Sequence, residues 1–295
     1  MNTRPFRSWD DLPAMQAVCS ALLLATPGRA VAHPGDIAWW VGWPSQTVER
    51  LAERFLLLEE GGRVIGFASV MHDDADLSVF VDPSIADSRA AIDFEDQALE
   101  WASRNGVRVR WVEFEDETNA VQRWLGRGFL PAEEAYLNLT RKLDVEGPDG
   151  VEDTRVQPVG DDDVVDRASI THAAFGSPKP FDEYAASYAA FRETPAYPHG
   201  WDLLLRDPEA GAASCCIAWP DPVSRSGTFE PVASHPRVHG RGFGKVLLLD
   251  GIRRFAQAGM TWAIVGVDVN NPRAEALYRS VGFLPDRTLR IYERP

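Results

Sequence analysis

PVASHPRVHGRGFGKVLLLDGIRRFA, residues 231–256, decides how this chain is read. A short β-like run, PVAS, meets a turn at His235-Pro236. Then come His239, Gly240, Arg241, Gly242, Phe243, Gly244 and Lys245. Behind them Val246, Leu249, Ile252, Phe255 and Ala256 recur at the spacing of one helix face. The order is strand, glycine-bearing turn, helix. Glycines at such a turn let the backbone approach a ligand closely. The first N–H groups of a helix have no internal partner, and the helix dipole adds partial positive charge beside them. The segment is therefore a candidate phosphate cradle. Its spacing excludes the P-loop, which needs Gly-Lys-Ser/Thr after four intervening residues. It also excludes the dinucleotide-binding fingerprint, because no acidic residue closes a second parallel strand where that fold needs one.

Working outward, the same order of elements occurs twice. VFVDPSIADSRAAIDFEDQALEWA (79–102) repeats the strand, the X-Pro turn and the amphipathic helix. Each copy continues into a strand, VRVRWVEF (107–114) or TWAIVGVDV (261–269). A shorter helix ending in Gly-Phe follows, NAVQRWLGRGF (119–129) or NPRAEALYRSVGF (271–283). A final strand, near 136–143 or 287–293, is expected to close each copy. Upstream, RFLLLEEGGRVIGFASV (54–70) predicts a hairpin turning at Gly61-Gly62. WDLLLRDPEAGAASCCIAW (201–219) predicts another, turning near Asp207-Pro208. DVEGPDGVED (144–153) is polar and aperiodic. The expected organisation is two tandem domains, 1–143 and 153–295, joined by a linker at 144–152. The expected fold class is α/β of the mixed α+β kind, each domain a mixed, mostly antiparallel sheet flanked by helices.

SHPRVHGRGFGKVLLL (234–249) resembles motif A of the GNAT (GCN5-related) N-acetyltransferases, whose Arg/Gln-x-x-Gly-x-Gly/Ala loop holds the pyrophosphate of acetyl-CoA. VNNPRAEALYRSVGF (269–283) resembles that family's motif B, in the right order and at the right distance. The close match covers about 228–285; the remainder fits only in its order of elements. His239 stands where the family has Arg or Gln, and a histidine can still donate to phosphate. The resemblance implies acetyl-CoA as donor co-substrate, no metal, and cofactor contacts at His239 to Lys245 and at Asn271. It also implies a bulged, splayed strand whose backbone at Val232, Ala233 and Ser234 receives the pantetheine arm. Pro231 suits this, because proline in a sheet is confined to edges, strand starts and bulges. An ordinary edge strand would accommodate it equally.

Acetyl transfer to an amine needs a base for the amine and an acid for the departing thiolate. Tyr278 falls where the resemblance places the tyrosine that faces the CoA sulfur, and a phenol holds its proton at neutral pH. Its spacing with Ala274, Leu277 and Val281 also fits a core position. Glu230, just before the expected bulge, is the candidate base, or else an exposed strand charge. Asn271 before Pro272 is also a well-formed helix N-cap.

The first copy lacks this apparatus. Aligning Asp82-Pro83 with His235-Pro236 puts Asp87, Arg89 and Ala91 opposite Gly240, Gly242 and Gly244, and Trp124 opposite Tyr278. A structural copy without its own acetyl-CoA site is the expectation.

Composition limits the partners. The net charge is -14, and both halves are acidic: 14 Lys/Arg against 22 Asp/Glu in 1–143, and 16 against 22 in the rest. No clustered basic surface is offered to nucleic acid, and the field favours a cationic small molecule. Apolar runs are too short for a membrane span, and no signal-peptide pattern opens the sequence, so a cytoplasmic protein is expected. Cys215 and Cys216 are adjacent in a strand-like run and so point to opposite faces, as small buried hydrophobes. The acceptor pocket is expected in 175–201, rich in Phe, Tyr and Pro, where a mobile lid or plain core is the alternative. Trp39, Trp40 and Trp43 are expected to pack, including between the halves. The expected activity is acetyl transfer to a primary amine of a small molecule, by a monomer or homodimer. The tandem layout also resembles mycothiol synthase, which acetylates a cysteinyl amino-sugar. A non-catalytic acyl-CoA-binding module is the alternative from another class.

Overall fold

A computed structural model describes all residues except 30, 45, 72–75, 106–108, 145–149, 151 and 295, with residue 71 described by its backbone alone. Most of the expected linker, and the first two residues of the run 107–114, lie outside the described residues. The first half contains β1 (Asn2–Pro5), α1 (Asp11–Ala25), α2 (Pro34–Gly42), α3 (Val48–Arg54), β2 (Phe55–Glu60), β3 (Arg63–Met71), β4 (Asp76–Val81), α4 (Arg89–Arg104), β5 (Arg110–Phe114), α5 (Thr118–Gly126) and β6 (Leu130–Lys142). The second contains β7 (Val156–Pro158), α6 (Val164–Phe175), α7 (Phe181–Arg192), β8 (Asp202–Asp207), β9 (Gly211–Asp221), β10 (Ser226–Ser234), α8 (Phe243–Gln257), β11 (Trp262–Asp268), α9 (Pro272–Ser280) and β12 (Leu284–Glu293). The two hairpins stand where their turn residues predict them, β2–β3 through Gly61-Gly62 and β8–β9 through Asp207-Pro208.

Among the described residues twelve strands join one sheet in the order β1-β2-β3-β4-β5-β12-β6-β11-β10-β9-β8-β7. Only β4–β5 and β10–β11 are parallel. Those are the two pairs bridged by a long helix, because a parallel pair needs a crossover connection. The mixed, mostly antiparallel architecture is therefore present twice.

One expectation fails. The final strand of each copy does not close its own copy. β6 lies between β12 and β11. β12 pairs with β5 of the first half, from Leu289↔Phe114 to Glu293↔Arg110. The halves have exchanged their last strands. Alternation of side chains specifies that a strand exists and which face it buries, and is silent about its neighbour.

Three large apolar clusters fill the faces. One lies under α4 and α5, around Phe94, Trp111, Trp124 and Phe129. Another lies under α8 and α9, around Phe229, Leu247, Phe255 and Phe283. The third is shared by the halves: Phe55, Phe67 and Phe80 from the first meet Tyr184, Phe191, Tyr197 and Trp219 from the second. Trp39 stacks on Trp43 at 5.0 Å, and both meet Phe191 edge-on. Of the readings of the aromatic segment 175–201, most of it follows the plain-core one, because Tyr184, Tyr188, Phe191 and Tyr197 supply the second half's share of this interface, while Phe175 stays exposed. All three cysteines are buried thiols, Cys215 and Cys216 in clusters on opposite faces of β9.

The helix carrying the glycine turn sits unusually close to its sheet. A Cβ on Gly251 would lie 2.5 Å from the Phe229 ring, and one on Gly227 2.6 Å from the Phe255 ring. These two glycines let α8 approach β10, which fixes the turn beside the end of that strand.

Candidate active site

β10 breaks its ladders where the site begins. Its parallel pairing with β11 covers only Ser226 to Thr228. Opposite β9, Phe229 pairs with Ala218 and Val232 with Cys216, so Glu230 and Pro231 face the single residue Ile217. That is a bulge, and Pro231 occupies it, where a missing N–H costs no ladder bond. The Trp219 indole donates to the Glu230 carbonyl at 2.7 Å and pins the bulge from β9. Beyond Thr228, β10 carries no ladder on the side that faced β11, and its backbone from Val232 to Ser234 runs along a cleft.

The glycine turn closes the other end of that cleft. Gly240 and Gly242 have φ of +80° and +81°, backbone that side chains with a Cβ rarely adopt. Nothing lies within 4 Å of the position a Cβ would take on either. Gly242 is the N-cap of α8 and offers no side-chain cap. The first helical bond is Val246 N–H to the Gly242 carbonyl at 3.1 Å. Among the described residues the N–H groups of Phe243, Gly244 and Lys245 therefore meet no acceptor. This is an open row of donors at a helix N-terminus.

The cleft has a volume of about 570 Å³. Val232, Ala233, Ser234, His239, Gly240, Gly242, Phe243, Gly244, Lys245 and Asn271 all line it. Arg241 alone of the expected cofactor residues does not: its guanidinium lies over the Phe243 ring and reaches Asp207 at 3.5 Å. His239 spends one ring nitrogen on the Ser234 carbonyl, 3.2 Å away. Asn271 accepts the Ala274 N–H at 3.0 Å, so it caps α9 while lining the cleft. Phe175, from the segment expected to form the acceptor pocket, and Arg273 also line it; the sequence reading passed over Arg273. Arg273 follows Pro272 in motif B, and no carboxylate among the described residues pairs with it. A lone arginine in the first turn of a helix, where cations are normally disfavoured, was the available signal.

Glu230 and Tyr278 come together below the bulge. Burial pushes the Glu230 carboxyl up to about 8, and the charge of Asp36 adds to the shift. Tyr278 is only 7% exposed, packed edge-on against Phe283 at 5.8 Å. Burial raises its pKa above the ordinary phenol value, and the charges of Glu230 and then Cys216 raise it further. Among the described residues its hydroxyl has no hydrogen-bond partner, and Tyr278 itself does not line the cleft.

Asp36 belongs to the first half. It sits on α2, which lies against β9 and β10. Its neighbour Gly35 has no room for a Cβ against Trp219, and His33 meets Ser226 at the base of β10, 3.1 Å away. Burial pushes Asp36 up to about 6, against the hydrogen bond it accepts from the His33 N–H at 2.7 Å. No motif marks Asp36 or Trp219; they reach the site through contacts between the halves.

The matching place in the first half is built differently. Asp87 has φ +57°, as Gly240 has +80°. Its carboxylate is held by Arg123 at 2.8 Å and Asn119 at 3.1 Å. Ser88 caps α4 by accepting the Ala91 N–H. Trp124 is fully buried and stacked on Trp111. Among the described residues no group of three His, Cys, Asp or Glu side chains is placed to hold a metal ion, and no helix is long and apolar enough to cross a membrane.

Residues 168–283 match the model of the Acetyltransferase (GNAT) family. No curated protein sequence matches the chain. Among solved structures it resembles a GCN5-related N-acetyltransferase from Sphaerobacter thermophilus, with a TM-score of 0.61 at 19% identity, covering 100% of this chain and 96% of that one. It also resembles a tandem GNAT protein from the clavulanic acid biosynthesis pathway, with a TM-score of 0.64 at 14% identity over 99% and 97% of the two chains. A GNAT-family acetyltransferase from Colwellia psychrerythraea gives 0.62 at 14% identity, each chain covered completely. At these identities the structures speak for the fold, and they do so over both halves.

Proposed function

Starting from a chain that belongs to the GNAT acetyltransferase family, we propose that its second half transfers an acetyl group from acetyl-CoA to a primary amine of a small molecule. The observation that carries this reading is the uncapped start of α8, with Gly240 and Gly242 in left-handed backbone, opening into the same cleft as the splayed end of β10. The free N–H groups of Phe243 to Lys245 receive the pyrophosphate, and Lys245 and Arg273, which no carboxylate among the described residues pairs with, add positive charge on that wall. The pantetheine arm lies along Val232 to Ser234 as an added strand would.

The reaction forms a C–N bond and breaks the thioester C–S bond. The incoming amine arrives largely as an ammonium ion and must lose a proton. Glu230, poised near 8, is matched to accept it at physiological pH. The departing thiolate takes a proton from Tyr278, whose raised pKa keeps the phenol protonated until then. Asp36 and Glu230 together make the acceptor end acidic, which favours a cationic substrate. The first half contributes Asp36 and the packing behind Trp219 and carries no acetyl-CoA site of its own.

The test is direct. Calorimetry with acetyl-CoA should give one site per chain, and a panel of small amines should yield at least one acceptor that releases CoA thiol. Two equivalent acetyl-CoA sites would overturn the division between the halves. Binding without thiol release from any amine would leave a non-catalytic acyl-CoA-binding module.

A further inference from the structure

The first half keeps a cleft of about 450 Å³ where the second half has its glycine cradle. It lies between α1, the ends of β4 and β5, the start of α4, and α5. This helix start offers an anion less than its counterpart does. Ser88 has taken the Ala91 N–H, and the Asp87 carboxylate stands in the turn. The cations on the wall are already matched: Arg123 by Asp87 and Glu95, Arg287 by Asp116 and Glu117, Arg29 by Asp286.

The carboxylates are matched too, with one exception. Glu113 on β5 lines the cleft, and among the described residues no cation meets it. It accepts a hydrogen bond from the adjacent Phe114 N–H at 3.0 Å, and the Trp111 indole lies beside it. The rest of the lining mixes matched ion pairs with an apolar side made by Leu22, Val79, Phe80 and Phe114 among others. A half-open cleft with an apolar side and one carboxyl left without a cation selects a ligand of a definite kind.

We propose that this first-half cleft binds a small organic cation, an ammonium group on an apolar body, with the ammonium on Glu113 and the body against Leu22, Phe80 and Phe114. The site is separate from the proposed acetyl-transfer centre and does not depend on that reaction. Burial pushes the Glu113 carboxyl up to about 7, and the charges of Glu117 and Glu95 add to this. The charged groups around the cleft are Asp87 just before α4, Glu95 on α4, Glu117 at the start of α5 and Arg123 towards its end, Arg29 beyond α1, and Arg287 from β12. A bound ammonium competes with the Glu113 proton, so affinity should strengthen as pH rises through 7.

The experiment titrates the full chain, without acetyl-CoA, with benzylammonium, phenethylammonium and cyclohexylmethylammonium, and with the alcohols and carboxylates of the same shapes. It uses Glu230→Gln as background, so that amines held at the acetyl-transfer centre drop out. The ammonium compounds should bind by calorimetry and their neutral and anionic counterparts should not. Adding Glu113→Gln should weaken binding about tenfold or more, the share of a hydrogen bond to a charged group. Ala120→Phe, which fills the cleft and leaves its charges alone, should abolish it, with circular dichroism reporting that both variants fold. Absence of binding by every ammonium probe, equal binding of the alcohols, or indifference to both variants would overturn the proposal. Loss of amine binding on Glu230→Gln alone would assign the amines to the second half and overturn it as well.

Discussion

The clefts of the two halves share their order of elements and differ at the start of one helix. In the second half α8 begins on Gly242, with no side chain to cap it and three donors left open. In the first, α4 begins behind Ser88, which satisfies a donor, and Asp87 adds a carboxylate where Gly240 has a bare backbone. A phosphate site is therefore made largely by what is missing: a cap, a Cβ, an anionic side chain. Each substitution that would stabilise α4 as an isolated helix removes part of such a site. The first half has followed the stabilising course and the second has left its helix start unsatisfied.

The comparison breaks most completely if the second half is given the first half's chemistry. Gly242→Asp should reduce acetyl-CoA affinity by about 1,000-fold, since a carboxylate about 4 Å from a phosphate charge opposes binding by about 4 kcal/mol near a protein surface. The open space around the Gly242 Cβ position keeps the fold intact, at a backbone cost of about 1–2 kcal/mol for left-handed φ. Calorimetry and a melting curve, run together, check both statements.

Trp124 stands where the second half has Tyr278, so removing the hydroxyl of Tyr278 asks what that difference contributes. Tyr278→Phe should lower kcat about 100-fold or more while the Kd for acetyl-CoA stays the same. Full activity in the phenylalanine variant would return Tyr278 to a packing role beside Phe283.

A subtler change tests the loan from one half to the other. With Glu230 as base, kcat/KM should rise with pH, pass its half-maximum near 8 and level off above it, because only the deprotonated carboxylate accepts a proton. Asp36→Asn removes a negative charge that favours the protonated form, so this limb should move to lower pH. Glu230→Gln should abolish the limb. An unmoved limb in Asp36→Asn would mean that α2 contributes packing and no charge. The smallest effect belongs to the first half itself: Ser88→Ala should cost about 1 kcal/mol of stability by loss of the cap. It should confer no acetyl-CoA binding, since Asp87 stays in place.

What could be seen in the sequence was what the local backbone demands. Gly240 and Gly242 announce a turn with bare backbone, Pro231 announces an edge, a strand start or a bulge, and Asn271-Pro272 announces a helix start; the structure has left-handed φ at both glycines, the bulge at Pro231 and the cap at Asn271. Asp36 and Trp219 could not be found this way, because their position depends on how α2 lies across β9 and β10. The aromatic residues of 175–201 advertise a large apolar surface but carry no sign of what covers it, and Trp39 and Trp43 cover much of it. Arg241 sits inside the glycine motif, and nothing local foretells that Asp207 draws it outward.

The exchange of β6 and β12 bears on the making of the protein. Arg290 on β12 meets Glu115, just beyond β5, across 175 residues of chain. During synthesis β5 exists long before its neighbour, and until β12 arrives it is an unpaired edge, open to any passing strand. Contacts this remote in sequence also slow folding, because a long loop must close before they are gained. Neither half can finish early. A ribosome that stalls before residue 284 would release a chain in which the older half is still incomplete, and a lesion in the last strand would be felt first at β5, the strand that bears Glu113.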